Sequence, residues 1–485
     1  MNYFNVDAII VYAFLLLTLL LGLWAGKNVK TIKEYAIANR AYGTGVLTIT
    51  MLATFITGSQ SIGYVGYIYD DGILPVIPII FCRAIIGFLF IAHYISPKIL
   101  YFEGCLTLAE VMGKLYGGMA RTWIGFLGVL YCLAFVILQI IWIGYIGELI
   151  NVPNQWGMLL GGAFLVIYSA RGGMKSITIT DILQFISITM LVTLAVNVLI
   201  HKIGGIDNIF NKVPTNTFKI IQNPNFKNYL VYCLWGAFPS YLVSFPFIQR
   251  MLMAKDKRQL AKSQYIGMSY LTIFYISLTL IGLAAIALKT IGDVNMPKQG
   301  SKVFIYLVKA YFPVGIKGII SIGLLAAVMS TADSFLHSAG ILIAYDVVQP
   351  LLAKKYEVNV LRTSQYATFF LGVVSLVIAL IYHILPRVQY GTMDLGKGIN
   401  ILRDFVAVVF TIPLLAGIMG LKTDAKSFFV SMLATFIAFF VGKLFLPDLW
   451  FMPMVIAVNS ITFFAVDYIQ NKGFVTVKRD TVVLS

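Results

Sequence analysis

Apolar residues come in long runs along this chain, and polar residues gather in the short intervals between them. A helix needs about 20 mostly apolar residues to cross a bilayer. Runs of that kind fall at 6–26, 44–66, 74–95, 122–147, 153–170, 177–200, 229–250, 267–289, 314–347, 366–384, 401–420, 427–446 and 449–468. They predict an all-α, polytopic membrane protein with about 13 transmembrane helices. The first run has no basic stretch before it and no small-residue cleavage site after it, so it is expected to stay as a helix. No interval is long enough for a soluble catalytic module, and neither a P-loop nor a Gly-X-Ser-X-Gly turn occurs. The expectation is one transporter-sized unit over 1–485.

Charge gives the runs a direction. The first interval holds Lys27, Lys30, Lys33 and Arg40, whereas the second, 67–72, holds Asp70 and Asp71 and no base. The third holds Lys98, Lys114 and Arg121, the fourth has no base, and the intervals at 171–175 and 250–262 are basic again. Short basic loops stay in the cytoplasm. The alternation therefore predicts an outer N-terminus and a cytoplasmic C-terminus, as an odd number of spans requires.

Composition agrees. Hydrophobic residues make up 59% of the chain and charged residues 12%, with a mean hydropathy of +0.88. Soluble domains carry about 25% charged residues, so lipid must cover much of this surface. The net charge of +16 is spread singly and in small groups between apolar runs. That spread fits membrane topology and argues against a nucleic-acid partner. Cys82, Cys105, Cys132 and Cys233 have no metal-ligand spacing and read as packed free thiols.

Two runs are interrupted. Residues 52–66 crowd three glycines, two serines, two threonines and Gln60 into the middle of a span, and residues 236–247 carry Pro239 and Pro246. Proline removes a backbone donor, and irregular backbone at membrane depth survives only where it is buried or lines a cavity. A proline kink or a Gly-Ser packing face would explain either interruption alone. Two of them five spans apart match the broken helices of transporters built from inverted repeats.

Some polar residues inside the runs need a reason. Ser330, Asp333, Ser334 and His337 recur at three- and four-residue steps and share one helix face, with Thr331 one turn after Ala327. Hydroxyls can bond back to the preceding turn, but an intramembrane carboxylate costs roughly 2.5–3.5 kcal/mol on insertion scales. Oxygens of this kind suit a hard cation such as sodium. Asp181, just after the Arg171-Gly-Gly-Met-Lys175 turn, either caps a helix start or serves an ion. Arg83, near the middle of the third run, either holds a substrate carboxylate or pairs with Asp333, Asp181 or Glu148. His93, His201 and His383 are scattered and resemble no metal site, and Arg403-Asp404 either pair locally or line an outer vestibule. No clustered nucleophile and base point to an enzyme, and no repeated pore motif points to a channel.

Arg171-Gly-Gly-Met-Lys175, Thr180-Asp-Ile-Leu-Gln184, Ala326-Ala-Val-Met-Ser-Thr-Ala-Asp-Ser334, Glu34-Tyr-Ala-Ile-Ala-Asn-Arg40, Thr107-Leu-Ala-Glu-Val-Met-Gly-Lys-Leu-Tyr-Gly117 and Ile248-Gln-Arg250 together resemble the sodium:solute symporter family. The resemblance covers nearly the whole chain. It implies a LeuT-like fold with a 5+5 inverted repeat: a leading helix at 6–26, five-helix repeats at 44–200 and 229–420, and two trailing helices at 427–468. It also implies a sodium ion held by backbone carbonyls of Ala53, Ile56 and Ala327 and hydroxyls of Ser330 and Thr331. A possible second cation would sit among Asp181, Ser330, Asp333 and Ser334.

For the solute, the resemblance implies contacts from Gln60, Tyr241 and Arg83. Gln60 matches a Gln of sugar-carrying members. Ala237 and Ser240 fall where those members place Asn and Tyr, so a sugar would lose partners. An anionic or zwitterionic solute, such as proline or another amino acid, pantothenate or a monocarboxylate, fits better. The implied activity is sodium-coupled import by alternating access across a bacterial inner membrane, with the monomer as the working unit and lipid around it. Proton coupling through Asp181 and Asp333 is the alternative within transport, and a transporter-like sensor is the alternative outside it.

Overall fold

The computed structural model describes residues 5–233, 244–352, 356–384, 395–421, 424–446 and 448–475, with Ser59, 395–400, Arg403, Asp404 and 448–449 described by backbone alone. The described residues form helices and connecting turns, with no β-strand among them. In chain order the helices that matter here are α1 (Val6–Ala25), α2 (Ile32–Ile37), α3 (Thr44–Phe55) and α4 (Gly58–Asp71). Next come α5 (Ile77–Phe102), α6 (Gly118–Ile150), α7 (Asn154–Ile203), α8 (Phe245–Leu252) and α9 (Lys257–Thr290). The remainder are α10 (Ile316–Leu352), α11 (Val360–Ile384), α12 (Leu395–Met419), α13 (Ala425–Phe445) and α14 (Asp448–Asn471).

Nine helices among the described residues are long and apolar enough to cross a membrane, or ten with the bent pair α3–α4 taken as one span. The expected spans map onto these elements with one difference. The runs at 153–170 and 177–200 are the two arms of α7, which meet at a kink at Gly173, at φ 56 and ψ −148. Each arm, about 20 and about 30 residues long, is enough for one crossing. A side chain at residue 173 would also run into Tyr35, packed directly against it, so this turn needs glycine twice over. The difference is the run at 229–250, most of which lies outside the described residues; only α8, at its end, belongs to the account below.

α10 runs through the centre of the bundle, buried along nearly its whole length from Gly318 to Leu342 and packed against α7, α6, α1 and α3. The trailing pair α13 and α14 packs mainly on itself and turns most of its surface outward. The two ends of the bundle differ in how they are tied. At the acidic end, Asp7 Oδ1 accepts from Gly315 N (2.7 Å) and Gly318 N (2.8 Å), joining α1 to the start of α10. At the basic end, the loop after α1 folds in under the helices. Thr31 caps α2, and Tyr35, Ala36, Ile37 and Ala38 are buried. His337 Nε2 donates to Tyr35 O (2.9 Å) and Gln249 Nε2 donates to Ala36 O (3.0 Å).

Candidate functional site

α3 stops in the middle of the bundle. Its last turn closes with Ile56 N donating to Leu52 O (2.9 Å); Ile56 is then extended at φ −81 and ψ 98. Thr57 caps α4, which leaves at 57° to α3. The missing turn frees the carbonyls at the end of α3 for other donors. Ser330 Oγ donates to Ala53 O (2.8 Å) and Thr331 Oγ1 to Thr54 O (3.4 Å), both across from α10. Both hydroxyls also reach Ala327 O, at 3.4 and 3.1 Å. Ala53 O, Ala327 O, Ser330 Oγ and Thr331 Oγ1 are thus a compact group of neutral oxygens, and Ser330 and Thr331 are fully buried. Ile56 sits at the break itself; the described hydrogen bonds do not join its carbonyl to this group.

One helical turn toward the basic end the chemistry becomes charged. Asp181 of α7 and Arg250 of α8 form an ion pair at 3.3 Å with both side chains fully buried. Arg250 Nε donates to Thr50 Oγ1 (2.9 Å), Nη1 to Pro246 O (3.2 Å) and Nη2 also to Ser334 Oγ (2.6 Å). Thr50 in turn donates to Asp181 Oδ2. Asp333, equally buried, accepts from Tyr168 Oη (2.8 Å) and Ser334 Oγ (3.2 Å). Asp181 Oδ1 has no hydrogen-bond partner among the described residues. Two carboxyl groups and one guanidinium therefore share a buried interior.

On the other side of the break lies a third group. With the Gln60 carboxamide turned so that its oxygen faces the guanidinium, that oxygen accepts from both Arg83 Nη atoms (2.5 and 3.0 Å), while its NH2 donates to Phe55 O (2.7 Å) and Tyr275 Oη (3.2 Å). The Arg83 guanidinium also stands over the Phe55 ring, 5.2 Å from its centroid. Arg83 lies in a wide π-type stretch of α5, Ile77–Gly87, a local widening often found at functional sites. Phe55 packs edge-on against Phe88 at 5.5 Å and tilted against Phe247 of α8 at 6.1 Å.

The structure brings together most of the residues singled out by sequence. Ala53, Ala327, Ser330 and Thr331 meet directly, Asp181, Asp333 and Ser334 gather below them, and Gln60 meets Arg83. Tyr241, with Ala237 and Ser240, lies outside the described residues, and the side chains of Arg403 and Asp404 do too. Two readings change. Asp181 caps no helix: it lies about two turns beyond the kink at Gly173, inside the second arm of α7, and its carboxylate faces Arg250. Arg250 opens no solvated loop: the helix buries it completely. The partners considered for Arg83 are placed elsewhere, Asp181 on Arg250, Asp333 on Tyr168, and Glu148 exposed at the end of α6. Sequence reasoning missed Thr50, Thr54, Tyr168 and Tyr275, and the structural role of Arg250. The hydroxyls of Thr50 and Thr54, one turn apart in an apolar helix, were the available signal.

The model of the sodium:solute symporter family matches residues 35–435. A sodium/glucose cotransporter of Vibrio parahaemolyticus is 23% identical over 478 residues, covering 89% of this chain and 83% of that protein. An osmoregulated proline transporter of Bacillus subtilis is 21% identical over 353 residues, covering 70% of each. The solved structure of a Na+-coupled sialic acid symporter, substrate-bound and outward-open, superposes with a TM-score of 0.84 at 16% identity, covering 99% of this chain and 100% of that one. At that identity the likeness speaks for the fold alone.

Proposed function

The chain belongs to the sodium:solute symporter family, a multi-pass membrane transporter with a LeuT-like fold and sodium as its coupling ion, and on that premise we propose that it imports a small anionic or zwitterionic solute. The observation that carries the reading is the meeting of the α3 break with Ser330 and Thr331 of α10. Sodium binds there, held by the carbonyls of Ala53, Ile56 and Ala327 and by the two hydroxyls. Oxygen donors suit a hard monovalent cation, and an all-neutral set holds it without trapping it. The solute binds on the other side of the break, beside Gln60, Arg83 and Tyr241. Gln60 Oε1 on the Arg83 fork holds the place a carboxylate would take with better charge match, since guanidinium and carboxylate pair through two parallel hydrogen bonds. Amino acids such as proline, pantothenate and monocarboxylates, whose carboxylate can take both arms of that fork, are the favoured class.

Import follows from the gradient. Sodium and solute enter from outside with the N-terminus on that side, and rocking of the helices around the broken pair exposes both to the cytoplasm. Each sodium carries one charge down the membrane potential, worth about 2.3 kcal/mol per 100 mV. Two carboxyl groups against one guanidinium, with the unpartnered Asp181 Oδ1, favour a second monovalent cation beside Asp333 and Ser334. A proton there would serve the same charge balance as a second sodium. The setting is a bacterial inner membrane and the working unit a monomer.

The test is thermal stabilisation of the purified protein by a panel of carboxylates, amino acids and sugars, with and without sodium. A ligand that binds the folded state raises the melting temperature by mass action. A carboxylate that stabilises only with sodium, and no longer does so in Arg83→Ala, is the expected result. Stabilisation by a neutral sugar, or by any solute equally well without sodium, would contradict it.

A further inference from the structure

We propose that Arg250 is a positioning residue of the sodium site, through which that site is linked to α8 and to the second interrupted run. The inference rests on the reading that sodium sits between α3 and α10. Arg250 heads the large side chains that are fully buried, and its guanidinium sends donors to four different backbone segments: Thr50 of α3, Asp181 of α7, Ser334 of α10 and Pro246 of its own helix.

From two of these partners the wall of the sodium site is one residue away. On the α3 side, Thr54 Oγ1 donates to Thr50 O (2.8 Å), and Thr54 O accepts from Thr331 Oγ1. On the α10 side, Ser334 Oγ donates to Ser330 O (2.6 Å), and Ser330 Oγ reaches Ala53 O. Thr54 Oγ1 and Ser334 Oγ lie 3.2 Å apart, so the two walls touch here. The guanidinium thus holds the spacing of both walls from below.

It does so from α8, which starts at Phe245, four residues after Tyr241 and within the same run. The neighbouring residue, Gln249, ties the same helix to the inner loop through Ala36 O and to α10 through Ser338 Oγ (2.8 Å). A movement of α3 against α10 as sodium binds or leaves therefore has a direct polar route to α8. The bland alternative is that Arg250 serves only to neutralise Asp181. A lysine would do that equally well, but its point charge cannot reproduce a planar fork spread over four acceptors.

The experiment is equilibrium binding of 22Na+ alone to the purified full chain. Arg250→Lys keeps the charge and is expected to weaken sodium binding by about tenfold or more, the scale of one lost hydrogen bond to a charged group. Thr50→Val removes the link to α3 without touching any charge and is expected to weaken it in the same direction. Wild-type affinity in Arg250→Lys overturns the proposal; should that variant not fold, wild-type affinity in Thr50→Val overturns it instead. Ser330→Ala with Thr331→Ala is the control for the site itself. If that double variant binds sodium as the wild type does, the site assignment fails first, and the two failures are told apart.

Discussion

Two polar clusters sit one helical turn apart inside this bundle and are built on opposite principles. The upper one, Ala53, Ala327, Ser330 and Thr331, contains only neutral oxygens. The lower one, Asp181, Arg250, Asp333 and Ser334, is charged and holds an internal counter-ion. A group meant to hold a passing ion gains from neutrality, because the ion's own charge is then the only one and can leave again. A group meant to hold helices together gains from a permanent pair, because breaking it strands a charge in a dry interior. Desolvation makes such a pair a weak source of net stability but a costly one to break on one side.

The largest effect expected from that contrast is on the lower cluster. Asp181→Leu leaves Arg250 buried opposite an apolar side chain, and stability should fall by about 3–5 kcal/mol, read as a lowered melting temperature in detergent without sodium. If the melting temperature holds, the pair is not structural and the contrast collapses. Next comes Ser330→Ala with Thr331→Ala. Two oxygens lost to a charged ligand, at roughly 1.5–3 kcal/mol each, should reduce sodium-driven uptake by about 100-fold or more. The sodium-free melting temperature should fall less than in Asp181→Leu, because neutral hydrogen bonds are lost but no charge is stranded. A sodium-free fall as large as that of Asp181→Leu would make the upper cluster structural as well.

The smallest effect sharpens the contrast from outside the membrane. Glu34, in the basic-end loop, is paired with Lys175, and the hydrogen bond from Lys175, helped by that from Lys30 N, holds its carboxyl below the usual range. A carboxyl with a depressed folded pKa adds stability above its unfolded value, and that stability is lost as pH falls through the folded one. Lys175→Met should therefore lower the melting temperature slightly at neutral pH and leave it unchanged once the carboxyl is protonated in acid. The size should be that of an ion pair near water, about 1 kcal/mol or less. An effect as large as that of Asp181→Leu would mean that burial is not what separates the pairs.

The α10 side of both clusters was legible in the sequence and the rest only in part, for a physical reason. Ser330, Asp333, Ser334 and His337 declare themselves by their spacing on one helix face, with Thr331 beside them, since periodicity reports which residues share a face; the carbonyls of Ala53, Ile56 and Ala327 followed only from the family resemblance. Arg250 reaches its partners from another helix. Its sequence surroundings, Gln249 before it and Lys255 to Lys262 after it, look like the start of a basic loop. Nothing along the chain says that α8 carries it inward. The Arg171-Gly-Gly-Met-Lys175 turn was legible as the joint between two runs, and the chain kinks there at Gly173; that Tyr35 packs against the kink was not legible. Span number and the first broken helix depend on local composition and were legible; contacts between distant helices were not.

The most direct test of the account is uptake into proteoliposomes of whichever carboxylate stabilises the protein, under an inward sodium gradient at equal pH and, separately, under an inward proton gradient without sodium. The account predicts accumulation with the sodium gradient, its loss in Ser330→Ala with Thr331→Ala, and none with the proton gradient alone. Accumulation driven by the proton gradient without sodium, or undiminished in the double variant, would contradict it.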